Sequence, residues 1–160
     1  MKKVVSALSA ALIIAALVVG PVLAASPHFV KASSSVNDSG QLVISWKEAG
    51  LDDTTLVAYE ASADSIATWG CINGGGKHPQ AANKETVAGP VSTSGTFSSG
   101  KNGQITASLV FGPIPATVNF SCPPGQRLML LEVSYTAIVL TDTTNGISIT
   151  LPDASHIFFR

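Results

Sequence analysis

The sequence predicts an all-β fold, an antiparallel β-sandwich of the immunoglobulin-like or Greek-key type with about seven to nine strands and one disulfide. Three observations lead to this prediction. Short segments alternate between apolar and polar residues with a period of two, residues that favour turns separate them, and the chain contains two cysteines. The only helical pattern is a short one that begins at Asp64.

The N-terminus has the pattern of a secretory signal peptide. Two lysines follow Met1, an apolar run extends from Val4 to Val19, and small residues precede a cleavage point after Ala24. The alternative, an anchoring transmembrane helix, needs roughly 20 apolar residues, and this run is shorter. We therefore expect residues 1–24 to be removed and residues 25–160 to form a single secreted β-sandwich domain, extracellular and free of the membrane.

Five segments carry the strand pattern. The first two are Gln41–Ala49 and Thr55–Ala63. Gly103–Phe111 follows, and it has the clearest alternation of a half-buried strand. Gln126–Asp142 predicts one long or bent strand, and Gly146–Pro152 alternates again.

Turn residues separate these segments. Val36–Gly40 and Ser98–Gln104 predict turns, and Asn145-Gly146 predicts a hairpin because both residues tolerate a positive φ. The segment Phe111–Gly125 contains four prolines. It is therefore predicted to be a crossover between sheets or an edge segment.

The two cysteines, Cys71 and Cys122, predict one disulfide in an exported chain. Closing a loop of this length stabilises the fold by roughly 4 kcal/mol in the chain-entropy treatment. The alternative is a pair of free thiols that bind a metal or act as a nucleophile. Two thiols without further ligands nearby make a poor metal site, so the structural disulfide is favoured.

The charge balance argues against two classes of partner. Removing the two lysines of the signal leaves seven Lys and Arg against ten Asp and Glu, a net charge of −3. Nucleic acids and anionic membranes are bound through basic patches, which this balance does not favour. We expect no nucleic-acid partner.

The segment Thr68–Lys84, TWGCINGGGKHPQAANK, combines three consecutive glycines with a lysine, a histidine and two asparagines. It is not a phosphate-binding P-loop, because that motif has a hydroxyl residue after its lysine, where this chain has a histidine. The sequence instead predicts a long loop that begins at the disulfide. Such loops often contact partners, and the candidate binding residues are Asn73, Lys77, His78, Gln80, Asn83 and Lys84.

The sequence predicts no catalytic residue, no metal ligand and no cofactor. Neither G-x-S-x-G nor H-E-x-x-H occurs, and the three histidines are far apart: His28, His78 and His156. Glycosidases need two convergent carboxylates. The glutamates at strand positions are expected to face solvent instead: Glu48, Glu60, Glu85 and Glu132.

Two acidic turns and three aromatic residues leave alternatives open. The acidic turns could bind calcium through clustered oxygens, and they are Leu51–Thr55 and Thr141–Asn145. Neither has the spacing of an EF-hand, and Asp and Asn in turns normally cap their own backbone. An exposed aromatic residue beside the loop would suit a glycan, and the candidates are Trp69, Tyr59 and Tyr135. For Trp69, two residues before a cysteine, packing over the disulfide in the core is favoured.

The segments CINGGGKHPQAANK, KEAGL and SYTAIVLTDTTNG resemble a group of small secreted microbial proteins of unassigned function. This resemblance covers most of the region after the signal. It implies export and a disulfide-linked β domain, and it implies no activity. An immunoglobulin domain matches less well, because its tryptophan lies between the two cysteines, whereas Trp69 precedes both.

These observations together predict a secreted, non-enzymatic binding or structural module. Its partner is an unknown extracellular component, such as a glycan or another component of the cell surface. One alternative is a carbohydrate-binding module that acts on cell-wall or environmental glycan. The other is a small secreted hydrolase or an inhibitor of an enzyme.

Overall fold

The computed structural model describes residues 26–73 and 83–159. The expected signal peptide lies outside these residues. Within them the chain forms eight strands: β1 (His28–Val36), β2 (Leu42–Ala49), β3 (Leu56–Asn73), β4 (Lys84–Ser98), β5 (Gln104–Phe111), β6 (Gln126–Asp142), β7 (Ile147–Thr150) and β8 (Ala154–Ile157). No described segment forms a helix with the length and hydropathy that a membrane span requires.

The strands form two antiparallel sheets, and the predicted β-sandwich is confirmed. The first sheet has three strands in the order β1-β2-β5. The second has five, in the order β4-β3-β6-β7, with β8 also paired to β6. β7 pairs with the C-terminal part of β6 and β8 with its middle, so the two short strands follow one another along the same edge.

The core lies between the sheets and follows the period-two alternation. Leu42, Ile44 and Trp46 of β2 all point inward and are buried. The ring of Trp46 lies 4.7 Å from that of Tyr59 on β3 and 5.3 Å from that of Phe97 on β4. Burying one large apolar side chain contributes roughly 1.5–3 kcal/mol, so this aromatic cluster is a main contact between the sheets.

The two longest strands show where the sequence pattern is reliable. β6 has the predicted bounds, and its pairing with β3 is irregular next to Ala137, which adopts a positive φ of 51°. β3 extends beyond the predicted strand Thr55–Ala63 and continues to Asn73, through the segment with helical character. Pairing with β4 on one side and with β6 on the other overrides that local preference.

The proline-rich segment Phe111–Gly125 connects β5 in the first sheet to β6 in the second, which confirms the predicted crossover. The predicted disulfide is also confirmed. Cys71 on β3 is bonded to Cys122 in the crossover, at a sequence separation of 51. The disulfide therefore fastens the crossover to the longer sheet.

Tyr135 of β6 links the two sheets through a buried hydrogen bond. Its hydroxyl donates to the carbonyl oxygen of Gly40, in the turn between β1 and β2, over 2.6 Å. Gly112 lies against the same ring, where a Cβ atom would come within 2.7 Å of the hydroxyl oxygen. Burial raises the pKa of Tyr135 to about 12, so the hydroxyl remains a donor at ordinary pH.

We expect Tyr135→Phe to lower the free energy of unfolding by roughly 1–2 kcal/mol, because the carbonyl of Gly40 loses its buried donor. Urea denaturation followed by tryptophan fluorescence measures the loss. Val118→Ala, at a side chain that is almost fully exposed, is the control and should unfold as the wild type does. A Tyr135→Phe protein with wild-type stability would contradict this role.

Replacing Cys71 and Cys122 together with alanine should lower the free energy of unfolding by roughly 4 kcal/mol, because the unfolded chain is no longer closed into a loop. The same urea experiment measures it. Wild-type protein reduced under denaturing conditions should show a comparable loss when refolded with its thiols blocked. A loss below about 1 kcal/mol in both would mean that the disulfide contributes little.

Candidate functional site

The two sheets differ in length, and the difference creates an overhang at one end. β3 and β6 have 18 and 17 residues, whereas β2 and β5 in the facing sheet have 8 each. The end of the long sheet nearest the disulfide therefore extends beyond the three-stranded sheet. Its inner face carries Trp69 and Cys71. The three-stranded sheet does not reach these side chains, so another part of the chain must shield them from water.

The proline-rich crossover covers one side of this overhang. The indole N–H of Trp69 donates to the carbonyl oxygen of Ile114 over 3.0 Å. The carboxylate of Glu85 on β4 accepts hydrogen bonds from the backbone N–H of Thr117, over 2.8 Å, and from its hydroxyl, over 2.6 Å. With the disulfide, these bonds hold the crossover against β3 and β4.

The other side of the overhang is open and forms an apolar cleft of about 270 Å³. We call it the aromatic cleft, and its lining residues are Asp38, Ser39, Trp69, Leu128, Met129, Leu130, Phe158 and Phe159. Two large apolar side chains in it are unusually exposed, Leu128 at 42% and Phe159 at 37%. Met129 pairs with Gly70, so its side chain points to the opposite face of the long sheet. Trp69 is half-buried and packs against the core from beneath.

Local hydrogen bonds position two walls of the aromatic cleft. The backbone N–H groups of Phe158 and Phe159 both donate to the carbonyl oxygen of Leu131, over 2.8 and 3.2 Å. The turn that carries Asp38 and Ser39 is held by Asn37, whose side-chain oxygen accepts the N–H of Ser39 over 3.0 Å. The shape of the cleft is therefore set by the fold before any partner arrives.

Half of the candidate binding residues of the Thr68–Lys84 segment lie in the described part of the chain. Asn73 is exposed at the end of β3, opposite Gln126, and Lys84 is exposed at the start of β4. Asn83 is half-buried beside it. These three residues are at the same end of the long sheet as the aromatic cleft, and the other three lie outside the described residues: Lys77, His78 and Gln80.

The aromatic candidates for glycan stacking separate into two groups. Tyr59 and Tyr135 are buried in the core and cannot stack on a sugar ring. Trp69 combines both interpretations, because it packs against the core and also lines the aromatic cleft. Phe158 and Phe159, near the C-terminus, were not predicted as site residues, because no sequence pattern connects them with Trp69.

The histidines and glutamates are distributed over the whole fold. His28 is on β1, while His156 on β8 packs against Phe158 with ring centroids 4.3 Å apart. Within residues 26–73 and 83–159, no three His, Cys, Asp or Glu side chains are grouped as metal ligands. The turn at Thr141–Asn145 behaves as expected, since Asp142 caps the N–H groups that follow it.

The expectation that the glutamates face solvent is correct for Glu60 and Glu132 and wrong for Glu48. Glu48 is completely buried, because its even position on β2 places it on the inward face with Trp46. Glu85 is half-buried. The parity of Glu48 in the segment LVISWKEA was the available signal, since inward-facing residues recur at every second position.

Comparison of the chain with protein-family models, with curated proteins and with solved structures finds no match. The geometry of the described residues is therefore the guide to function.

We expect Trp69→Phe to loosen the crossover, because it keeps an aromatic ring but removes the indole N–H that donates a hydrogen bond to the carbonyl oxygen of Ile114. The free energy of unfolding should fall by about 1 kcal/mol, and limited proteolysis between residues 112 and 121 should become faster. Val118→Ala, in the same segment, is the control. It should leave unchanged the cleavage rate of the peptide bonds that do not involve residue 118. Equal proteolysis of Trp69→Phe and wild type would contradict this role.

Proposed function

We propose that the protein is a non-enzymatic extracellular binding module that captures its partner in the aromatic cleft. The observation that carries this proposal is the exposure of Leu128 and Phe159 around a half-buried Trp69. Monomeric proteins rarely leave neighbouring large apolar side chains in water, and such patches mark interaction sites. The signal-like N-terminus and the disulfide support an extracellular location.

The rigidity of the aromatic cleft supports binding rather than incidental exposure. Its floor is held by the bond between Trp69 and Ile114, and one wall by the two bonds to Leu131. A preformed site loses less conformational entropy when it binds, which leaves more of the contact energy as affinity. Aromatic side chains in such positions commonly act as binding hot spots.

The lining defines the chemistry of the partner. Apolar side chains dominate the aromatic cleft, and Asp38 and Ser39 supply one carboxylate and one hydroxyl at its rim. This favours a partner that inserts an apolar or aromatic side chain and presents a basic or hydroxyl group beside it. A protein or peptide exposed at a cell surface offers both, and the target of an enzyme inhibitor is one example.

A glycan is the second candidate, and the juxtaposition of Trp69 and Phe159 with Asp38 and Ser39 is the observation that favours it. Sugar rings stack on aromatic faces, and rim polar groups bind their hydroxyls. The indole N–H of Trp69 is already bonded to Ile114, so only its ring is available to a sugar. Hydrolysis finds less support, since the cleft is lined by one carboxylate and no histidine.

The test is a binding assay with Leu128→Ser combined with Phe159→Ser, at two side chains that are already partly exposed. The control is Leu56→Ser, which removes an apolar side chain with 66% exposure at the other end of β3. Immobilised protein is incubated with cell-wall fractions, culture fractions and an array of purified glycans. We expect the cleft variant to lose at least about tenfold in affinity, a change of roughly 1.4 kcal/mol, and the control to bind as the wild type does.

Comparing the wild type, the cleft variant and the Leu56→Ser control separates the candidates. A protein bound by wild type and control but lost by the cleft variant supports the proposal, and a glycan with the same behaviour supports the second candidate. Equal binding by all three proteins would place the contact surface elsewhere. A further variant, with Asn73–Lys84 shortened to a tight turn, tests whether that loop contributes to the same contact.

A further inference from the structure

The end of the sandwich opposite the aromatic cleft contains two carboxyl groups that are completely buried. Glu48 comes from β2 in the first sheet and Asp142 from β6 in the second. The two side chains are within hydrogen-bonding reach of each other. One oxygen of Glu48, Oε2, accepts the hydroxyl of Tyr59 over 2.8 Å, while the other, Oε1, is buried without a donor.

The two carboxyl groups have different hydrogen-bond partners. Oδ1 of Asp142 accepts the backbone N–H groups of Thr144 and Asn145, over 2.8 and 2.9 Å, and Oδ2 accepts the side-chain amide of Asn145 over 2.6 Å. Three N–H donors stabilise a carboxylate. Glu48 receives one neutral hydroxyl. Because two adjacent buried carboxylates repel each other strongly, a single proton on Glu48 that is donated to Asp142 satisfies both groups.

Several groups around Glu48 contribute to the pKa of its carboxyl group. Burial raises the pKa of Glu48 to about 7, the hydroxyl of Tyr59 opposes that rise, Asp142 adds to it, and His28 on β1 opposes it slightly. Burial also raises the pKa of Tyr59, so its hydroxyl remains a neutral donor. The residue opposite Glu48 on β5 is Ile105, which does not titrate.

We propose that Glu48 and Asp142 form a proton-dependent link between the two sheets, and that loss of the shared proton releases the start of β1. Phe29 of β1 lies opposite Glu48, and the pairing shifts register immediately after it. Two hollows of about 290 Å³ each lie beside this segment, one lined by Ser26 and Pro27 and the other by Pro27 and Phe29. Displacing this short segment at the edge of the first sheet would join these hollows and give water a route to the ionised pair.

The direction of the pH effect follows from proton linkage. The folded protein keeps a proton on Glu48 up to a pH of about 7, whereas the unfolded chain releases it near 4.5. Stability from this group is therefore fully present below the lower value, declines as the pH rises between the two, and is constant above the higher one. The full interval corresponds to a change on the order of 100-fold in the unfolding equilibrium.

Hydrogen exchange of the folded protein tests the proposal at two pH values, about 5.5 and about 8, after correction for intrinsic exchange rates. We expect the protection of the paired amides at the start of β1 to fall at least about tenfold at the higher pH. Glu48→Gln keeps the bond to Tyr59 and donates an amide N–H to Asp142, so it should remove the pH dependence. Glu60→Gln, an exposed position on β3, is the control and should behave as the wild type does.

A second measurement keeps the proposal testable if Glu48→Gln folds poorly. The carbon-13 chemical shift of the Glu48 carboxyl carbon in the wild-type protein reports its titration directly. A midpoint near 7 supports the shared proton. A midpoint near 4.5, or protection of β1 that does not change with pH, would overturn the proposal.

Discussion

The unequal length of the two sheets is the constraint on which the rest of the structure depends. β3, β4 and β6 have 15 to 18 residues, and the strands that face them have 8 or 9. An inner sheet face is apolar and must be shielded from water. The crossover and the disulfide shield one part of the overhang, and the aromatic cleft is the part that remains. The proposed binding site is thus a direct result of a sandwich with one short side.

The same strands give the two ends of the molecule opposite character. β6 begins with the exposed Leu128 at the aromatic cleft and ends with the buried Asp142. Tyr135 lies between them and ties the long sheet to the turn before β2. One end therefore presents an apolar cleft, and the other buries two carboxyl groups. The proposed binding site and the proposed proton-dependent link therefore lie in separate regions of the molecule.

Sequence reasoning succeeds where the signal is local. Alternation within a segment identified β5, a long apolar and β-branched run identified β6, and two cysteines in an export context identified the disulfide. It missed β4 because the strand is rich in Ser, Thr and Gly. Its residues alternate between exposed and half-buried in the structure, but the sequence shows no matching alternation of apolar and polar residues. The aromatic cleft was beyond reach for another reason. Asp38, Trp69, Leu128 and Phe158 are far apart in the chain, and only strand pairing across the long sheet and the packing of two turns bring them together.

The polarity of the sandwich also determines how the molecule can be attached to a support. Ser26 and Pro27 lie at the end that contains Glu48 and Asp142, whereas the turn after β1 is at the aromatic cleft. β1 has 9 residues, so the strand spans about 30 Å between these points at roughly 3.3 Å per residue. A tether or label joined ahead of Ser26 therefore holds the cleft about 30 Å away and directed outward. An attachment through the C-terminal residues, by contrast, would crowd Phe159 and obstruct the site.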